Sequence, residues 1–130
     1  MKQFHSFVLG LLVSTGCGND SIPYSCDYRT AMPPQQAEQC KDYVGYSAAD
    51  RDMLSSECRF FSQGYTFTAQ ACVRTGSLGG CTQSLSGKTQ TLWFYPDSVH
   101  RINTSADVMA GCPLVRDFFD MGGRSTFVAP

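Results

Sequence analysis

The sequence has no C-x-x-C cysteine pair, and His100 is its only histidine after residue 16. Structural zinc sites usually draw on close cysteine pairs and further histidines, so we expect neither a metal nor another cofactor. The chain also lacks the G-x-x-x-x-G-K-[ST] loop that holds phosphates and the G-x-S-x-G turn of many hydrolases. The Gly79-Gly80 pair instead predicts a hairpin turn.

Charge of one sign is not in excess, because 10 Lys and Arg residues stand against 11 Asp and Glu residues. Nucleic-acid-binding domains usually carry a basic patch or a high pI. We therefore expect no nucleic-acid partner.

Long apolar runs are missing except near the start, where residues 7–13 are apolar. A transmembrane helix needs about 20 residues. A shorter run that follows Lys2 and precedes the small residues Ser14 and Gly16 is typical of a cleavable export signal. We predict that residues 1–16 are a signal peptide.

The residues around the predicted cleavage site suggest a membrane anchor. Gly16 followed at once by Cys17 resembles the lipobox of bacterial lipoproteins, although Ser14 stands where that family prefers leucine. The resemblance implies cleavage before Cys17, a diacylglycerol on its thiol and often an acyl chain such as palmitate on its amine. The partner would be the lipid bilayer of the cell envelope, with the outer membrane favoured over the inner one. The alternative is a plain secretory signal and a secreted protein without a lipid anchor.

The sequence has seven cysteines. An odd number leaves one thiol without a disulfide partner in an exported domain. If Cys17 carries lipid, six remain, enough for three disulfides in an oxidising compartment. These disulfide candidates are Cys26, Cys40, Cys58, Cys72, Cys81 and Cys112. Sequence cannot choose among the possible pairings. Our working pairing is Cys26–Cys40, Cys58–Cys72 and Cys81–Cys112, which ties each helix cysteine to a neighbouring strand.

Composition divides the part after the signal peptide. Residues 17–39 are rich in proline and glutamine, a composition that predicts a lipidated N-terminus and tether. A disulfide at Cys26 would attach part of this tether to the domain. Residues 40–130 form the predicted cysteine-rich domain.

Within that domain the pattern of elements occurs twice. Residues 47–50 predict a capped helix start, and Leu54, Cys58 and Phe61 share one helical face. Gly64 ends this helix, and residues 65–69 alternate as a strand does.

The second copy of the pattern begins with a cap at residues 104–107 and ends with a strand at residues 125–128. Its inner helical face comprises Val108, Cys112, Val115 and Phe119, and Pro113 should kink or restart the helix. Between the copies, Gly76 and Ser86-Gly87 mark turns, and residues 89–95 give the strongest strand signal. We predict a small disulfide-stabilised α+β domain, two helices on a mainly antiparallel sheet, with a possible internal duplication.

This layout resembles a group of small cysteine-rich lipoproteins of unknown function from Gram-negative bacteria. The shared features are the Cys-x-x-Tyr-x-Gly start at residues 40–45, Gly79-Gly80-Cys81, and a terminal Gly-Gly-aromatic strand. The resemblance covers residues 40–130. It carries no known activity, so it assigns no functional residue.

Candidate catalytic residues do not converge in the sequence. Asp97, Ser98 and His100 lie within four residues after Pro96, where their side chains would hardly meet on one substrate. Carboxylates such as Asp50 and Asp52 fit solvated helix faces. We therefore expect no enzymatic activity and no catalytic residue.

The best binding candidates are Trp93 and Tyr95. In a strand these two aromatic side chains point to the face opposite Leu92 and Phe94, and such residues are common at interfaces. The alternative is that both faces are covered. We expect a membrane-anchored binding or structural module of the cell envelope, with an envelope protein or polymer as partner. The alternatives are a small envelope hydrolase or a periplasmic enzyme inhibitor that uses the loop at residues 75–78.

Overall fold

The computed structural model describes residues 21–30, 38–60, 64–115 and 123–130. The strands are β1 (Tyr24–Asp27), β2 (Gln39–Val44), β3 (Thr66–Thr68), β4 (Gly79–Leu85), β5 (Lys88–Phe94) and β6 (Thr126–Val128). The helices are α1 (Arg51–Phe60) and α2 (Ser105–Gly111), and short 3-10 helices cover Tyr28–Thr30, Ala48–Asp50 and Cys112–Leu114. No helix in these ranges has the length and apolar character that crossing a membrane requires.

The strands form one antiparallel sheet in the order β3-β1-β2-β5-β4-β6. Each half of the chain supplies a hairpin, a helix and a third strand that returns to the outer edge of its own hairpin. The predicted α+β fold, two helices on a mainly antiparallel sheet, is confirmed. The strand order reads the same from either edge when the halves are exchanged, which agrees with the predicted repetition.

The register makes the two halves equivalent residue by residue. Cys26 on β1 lies opposite Lys41 and Phe67, and Cys81 on β4 lies opposite Leu92 and Phe127. Where the halves meet, Lys41 pairs with Leu92. A pseudo-two-fold axis therefore passes through this central pair, and it exchanges Lys41 with Leu92.

Both predicted caps precede helical residues: Thr104 caps α2, and Ser47 caps the 3-10 helix Ala48–Asp50, which continues into α1. The Thr104 hydroxyl accepts a hydrogen bond from the Asp107 N–H (3.2 Å), while the Thr104 N–H donates to Asp107 Oδ2 (2.8 Å). The Ser47 N–H makes the same bond to Asp50 Oδ2 (2.8 Å). At the other end of α2, Pro113 is in the first turn of a new 3-10 helix, so it restarts the helix as predicted.

The helices share one face of the sheet. Directly opposite residues of an antiparallel sheet point to the same side, and Cys26 and Cys81, which bond to the two helices, lie in one row of opposite residues. α1 packs against β1 and β3, and α2 against β4 and β6. One apolar cluster lies under each helix, around Leu54 and Val108 respectively. A third cluster, on the opposite face, contains Cys40, Cys72, Trp93 and Tyr95. Phe61 and Phe119, which we placed on the inner helical faces, lie outside the described residues.

Three disulfides connect these layers: Cys26–Cys58, Cys40–Cys72 and Cys81–Cys112. The working pairing was right for Cys81–Cys112 and wrong for the other two. Cys26 and Cys40 cannot join because Cys26 lies opposite Lys41 whereas Cys40 lies opposite Asp27, so the two thiols point to opposite faces. Cys26 instead meets α1 above the sheet.

Two further expectations are corrected. The Gly79-Gly80 pair lies in β4 and not in a turn. The hairpin turn is at Ser86-Gly87, where both residues have positive φ (51° and 77°) as a type I′ turn requires. Gly79 is needed for close approach, because a Cβ there would lie 2.5 Å from the Phe127 ring. In addition, β1 falls inside the predicted tether, so the domain begins no later than Tyr24.

Candidate functional site

All six disulfide candidates are paired with one another, and they indicate an oxidising, extracytoplasmic compartment. Cys17 and the predicted signal peptide lie outside the described residues. The three disulfides account for the other six cysteines of the sequence.

The binding candidates Trp93 and Tyr95 lie on the sheet face opposite the helices, as the alternation of β5 predicted. Their side chains are covered, however, with exposed fractions of 4% and 6%. The cover is the segment that follows β3, which the Cys40–Cys72 disulfide ties to β2. The structure therefore shows the alternative in which both faces of the sheet are covered.

Asp42 holds this cover in place from below. Its carboxylate accepts hydrogen bonds from the Cys72 N–H (2.6 Å) and from the Trp93 indole N–H (2.8 Å). Burial raises the pKa of the Asp42 carboxyl, although both hydrogen bonds and the charge of Arg74 oppose that shift. The carboxylate has its donors inside the protein, which gives it a structural role.

Arginine side chains lie over both aromatic rings. The Arg74 guanidinium lies 4.7 Å from the ring centre of Trp93, and the Arg29 guanidinium lies 3.9 Å from that of Tyr95. Arg29 also binds both carboxylate oxygens of Asp27, at 2.9 and 2.7 Å. The Tyr95 hydroxyl donates to the Val73 carbonyl. Any partner that approached this face would meet guanidinium groups before aromatic rings.

The loop proposed for an inhibitor is also packed. The Leu78 N–H donates to the Phe94 carbonyl (2.8 Å), and the Leu78 side chain packs against the cluster under α2. Ser77 is buried and its N–H donates to the Arg74 carbonyl in a tight turn. Of the four loop residues, Thr75 and Gly76 are exposed, so the loop offers a partner one exposed side chain.

His100 belongs to a local turn. Its Nδ1 lies 2.7 Å from Asp97 Oδ2, and Asp97 also receives the backbone N–H groups of Glu38, Val99 and His100. Burial would raise the pKa of the Asp97 carboxyl, but these hydrogen bonds outweigh it and hold the pKa below its usual value. Asp97 thus organises the turn, and His100 is one of the residues that hydrogen-bond to its carboxylate.

Sequence reasoning missed a buried polar cluster next to the pseudo-two-fold axis. The Lys41 ammonium lies 2.9 Å from Glu57 Oε1, and the Tyr43 hydroxyl donates to the same oxygen (3.2 Å). The Lys41 side chain is 3% exposed, whereas that of Glu57 is 30% exposed. Burial, with the nearby Glu57 charge, raises the pKa of both Tyr43 and Tyr28 above the usual tyrosine range. We call Lys41, Glu57, Tyr43 and Tyr28 the ionic cluster.

The ionic cluster had only a faint sequence signal. Lys41 alternates with cysteine and aspartate in β2, and nothing in that pattern says which face is buried. Glu57 is an ordinary charged residue in an amphipathic helix. The Cys26–Cys58 disulfide joins β1 to the residue that follows Glu57 in α1, and Glu57 lies above β1 and β2 next to this bond.

Within the described ranges, no group of three or more His, Cys, Asp or Glu side chains could hold a metal ion. Comparison of the chain with protein-family models, with curated proteins and with solved structures gives no match.

Proposed function

We propose that this protein is a lipid-anchored binding or structural module of a bacterial cell envelope. The observation that carries the proposal is the use of cysteines. Six of the seven pair with one another. The seventh, Cys17, directly follows Gly16 and is separated by three residues from the apolar run at residues 7–13. An unpaired thiol in an exported protein is reactive and is commonly modified or paired. The position of Cys17 supports modification by lipid.

The roles of the charged side chains support a non-enzymatic module. His100 is held by Asp97 in a turn, and Lys41 is held by Glu57 under a helix. Hydrolytic catalysis normally needs a nucleophile, a base and an orienting group around one open position. Here these groups serve the packing of the domain.

The anchor is tested by expressing the full chain in a Gram-negative host and following membrane partition. We expect the wild-type protein to fractionate with membranes and its N-terminal peptide to carry diacylglycerol mass, because one acyl chain binds only marginally and two or more bind stably. Cys17→Ser should give an uncleaved or soluble form.

Ser14→Leu is the matched control, since it moves the −3 position toward the lipobox preference. It should leave lipidation intact or improve processing. Mass spectrometry that finds an unmodified Cys17 at the mature N-terminus, or a membrane fraction that is unchanged in Cys17→Ser, would show that the protein is not anchored in this way.

A further inference from the structure

An open groove lies at the outer edge of the first half, beside β3. Its volume is about 580 Å³, and it is lined by Arg59 at the end of α1 and by Tyr65, Thr66 and Phe67. Ligand sites commonly have volumes of about 300–1,000 Å³. Its volume is within this range, and its lining residues place the end of α1 on one side and the edge strand β3 on the other.

The strand side of the groove offers backbone hydrogen bonds. β3 pairs with β1 on one side only, and it is the first strand in the order of the described sheet. An edge strand presents unpaired N–H and C=O groups, which an extended peptide can satisfy by adding one more strand.

The helix side offers a charge. Among the described residues, no carboxylate lies within ion-pairing distance of Arg59. Tyr65 packs edge-on against Tyr28 at 4.8 Å between ring centres, and Phe67 stacks on Tyr24 at 5.7 Å. The groove wall is thus aromatic and ordered, with one cationic group at its rim.

Covalent and hydrogen bonds fix the width of the groove. The disulfide at Cys58, next to Arg59, ties α1 to β1. The Thr30 hydroxyl donates to the Gly64 carbonyl (2.7 Å) and accepts from the Thr66 hydroxyl (3.1 Å). A site that is rigid before binding loses less entropy when a ligand enters.

The equivalent edge in the second half lacks these features. After the helix cysteine, Pro113 stands in place of Arg59, and Ser125 stands before β6 where Tyr65 precedes β3. The Ser125 hydroxyl is turned inward and donates to the Cys112 carbonyl. At these two positions the described residues of the two edges therefore differ, so the shared frame alone does not dictate the lining of this groove.

We propose that this groove binds an extended acidic segment of another protein, which adds a strand to β3 and places an Asp or Glu side chain on Arg59. Charge complementarity selects the acidic residue, and the edge strand selects the extended conformation. A second copy of this chain does not supply the acidic residue through its own edges, because β3 (Thr66–Thr68) and β6 (Thr126–Val128) contain none. This inference rests on the proposed binding role and is independent of the lipid anchor.

The test screens the purified full-length exported protein against an array of N-acetylated, C-amidated heptapeptides. We expect the bound peptides to share one Asp or Glu among β-branched or aromatic residues. For the tightest of them, Arg59→Gln should weaken binding about tenfold, the worth of one charge-assisted hydrogen-bonded contact. Arg51→Gln, the same change at the first residue of α1, should leave binding unchanged.

Backbone methylation tests strand addition without changing the protein. N-methyl groups at alternate positions of the bound peptide should abolish binding at one parity and be tolerated at the other, because a strand uses its N–H groups with a period of two. Binding that tolerates methylation everywhere, lacks an acidic residue or ignores Arg59→Gln would overturn the assignment. An array without any bound peptide would overturn it as well. The binding role itself would fall only if, in addition, the anchored protein captured no envelope partner.

Discussion

The two halves of the domain have the same frame and differ in what they place on it. Each has a hairpin, a helix and a returning strand, with a disulfide from the first strand to the helix at Cys26–Cys58 and Cys81–Cys112. Each has a phenylalanine directly opposite the strand cysteine. The frame thus depends on a small set of positions that recur.

The halves diverge at the ionic cluster. Lys41 lies opposite Cys26, whereas its counterpart opposite Cys81 is Leu92. The residue before the helix cysteine is Glu57 in the first half and Gly111 in the second. Since the second half folds around apolar and small residues at these positions, the ion pair is not a requirement of the frame. Likewise, the second half has Pro113 where the first has Arg59, so the shared frame does not require Arg59.

The largest expected effect concerns the shared disulfides. The Cys26–Cys58 and Cys81–Cys112 bonds span 32 and 31 residues. Chain entropy then predicts nearly equal stabilisation, about 4 kcal/mol for each loop of this size. We expect both double variants, Cys26→Ala with Cys58→Ala and Cys81→Ala with Cys112→Ala, to lose about that free energy of unfolding in urea.

If the two losses of unfolding free energy differed by more than about 2 kcal/mol, the two disulfides would not be equivalent. One half would then owe its stability to something other than the frame. The third disulfide, Cys40–Cys72, provides the reference because it spans 32 residues but has no counterpart in the second half.

Local signals in the sequence were enough for the helices and the returning strands of the frame. The capping pairs at Ser47 and Thr104 located both helices, and the predicted strands at residues 65–69 and 125–128 located β3 and β6. They were not enough for the disulfides of the first half, because β1 lies in a proline-containing stretch without strand periodicity. Without β1, the face of Cys26 was unknown.

The covered aromatic face and the ionic cluster could not be predicted for a similar reason. The parity of β5 placed Trp93 and Tyr95 correctly on one face. What covers that face is a segment brought back by the Cys40–Cys72 bond, a long-range contact that leaves no local pattern. Lys41 and Glu57 likewise meet only through tertiary packing.

A smaller effect is expected from the ionic cluster. Glu57→Ala removes a carboxylate from the ammonium group of Lys41, which is 3% exposed. Removing one partner of a buried pair is costly, and because Glu57 is partly exposed we expect a loss of about 2 kcal/mol. Adding Lys41→Leu copies the apolar solution of the second half and should restore stability to within about 1 kcal/mol of the wild type.

Both values come from urea unfolding combined in a double-mutant cycle. The matched control is the more exposed pair of Lys88 and Asp50, whose side chains are 41% and 24% exposed and whose N–O distance is 3.5 Å. Lys88→Ala should cost less than about 1 kcal/mol. A double variant less stable than Glu57→Ala alone would mean that the first half cannot adopt the packing of the second, and the equivalence of the halves would not extend to this cluster.

The smallest expected effect separates the two helix starts. In both, a backbone N–H and a hydroxyl bind the carboxylate three residues later. The Asp50 and Asp107 N–H groups each donate to the carbonyl of the cap residue, both at 3.1 Å. The starts differ because the Thr104 hydroxyl also accepts the Asp107 N–H, at 3.2 Å, whereas Ser47 makes no side-chain cap hydrogen bond. Thr104→Ala should therefore cost about 1 kcal/mol, the usual loss of an N-cap, and Ser47→Ala should cost roughly half as much. Amide hydrogen exchange in the first turns of α1 and α2 locates each loss. Equal losses would show that the bond to the carboxylate, which both helices share, provides most of the capping free energy.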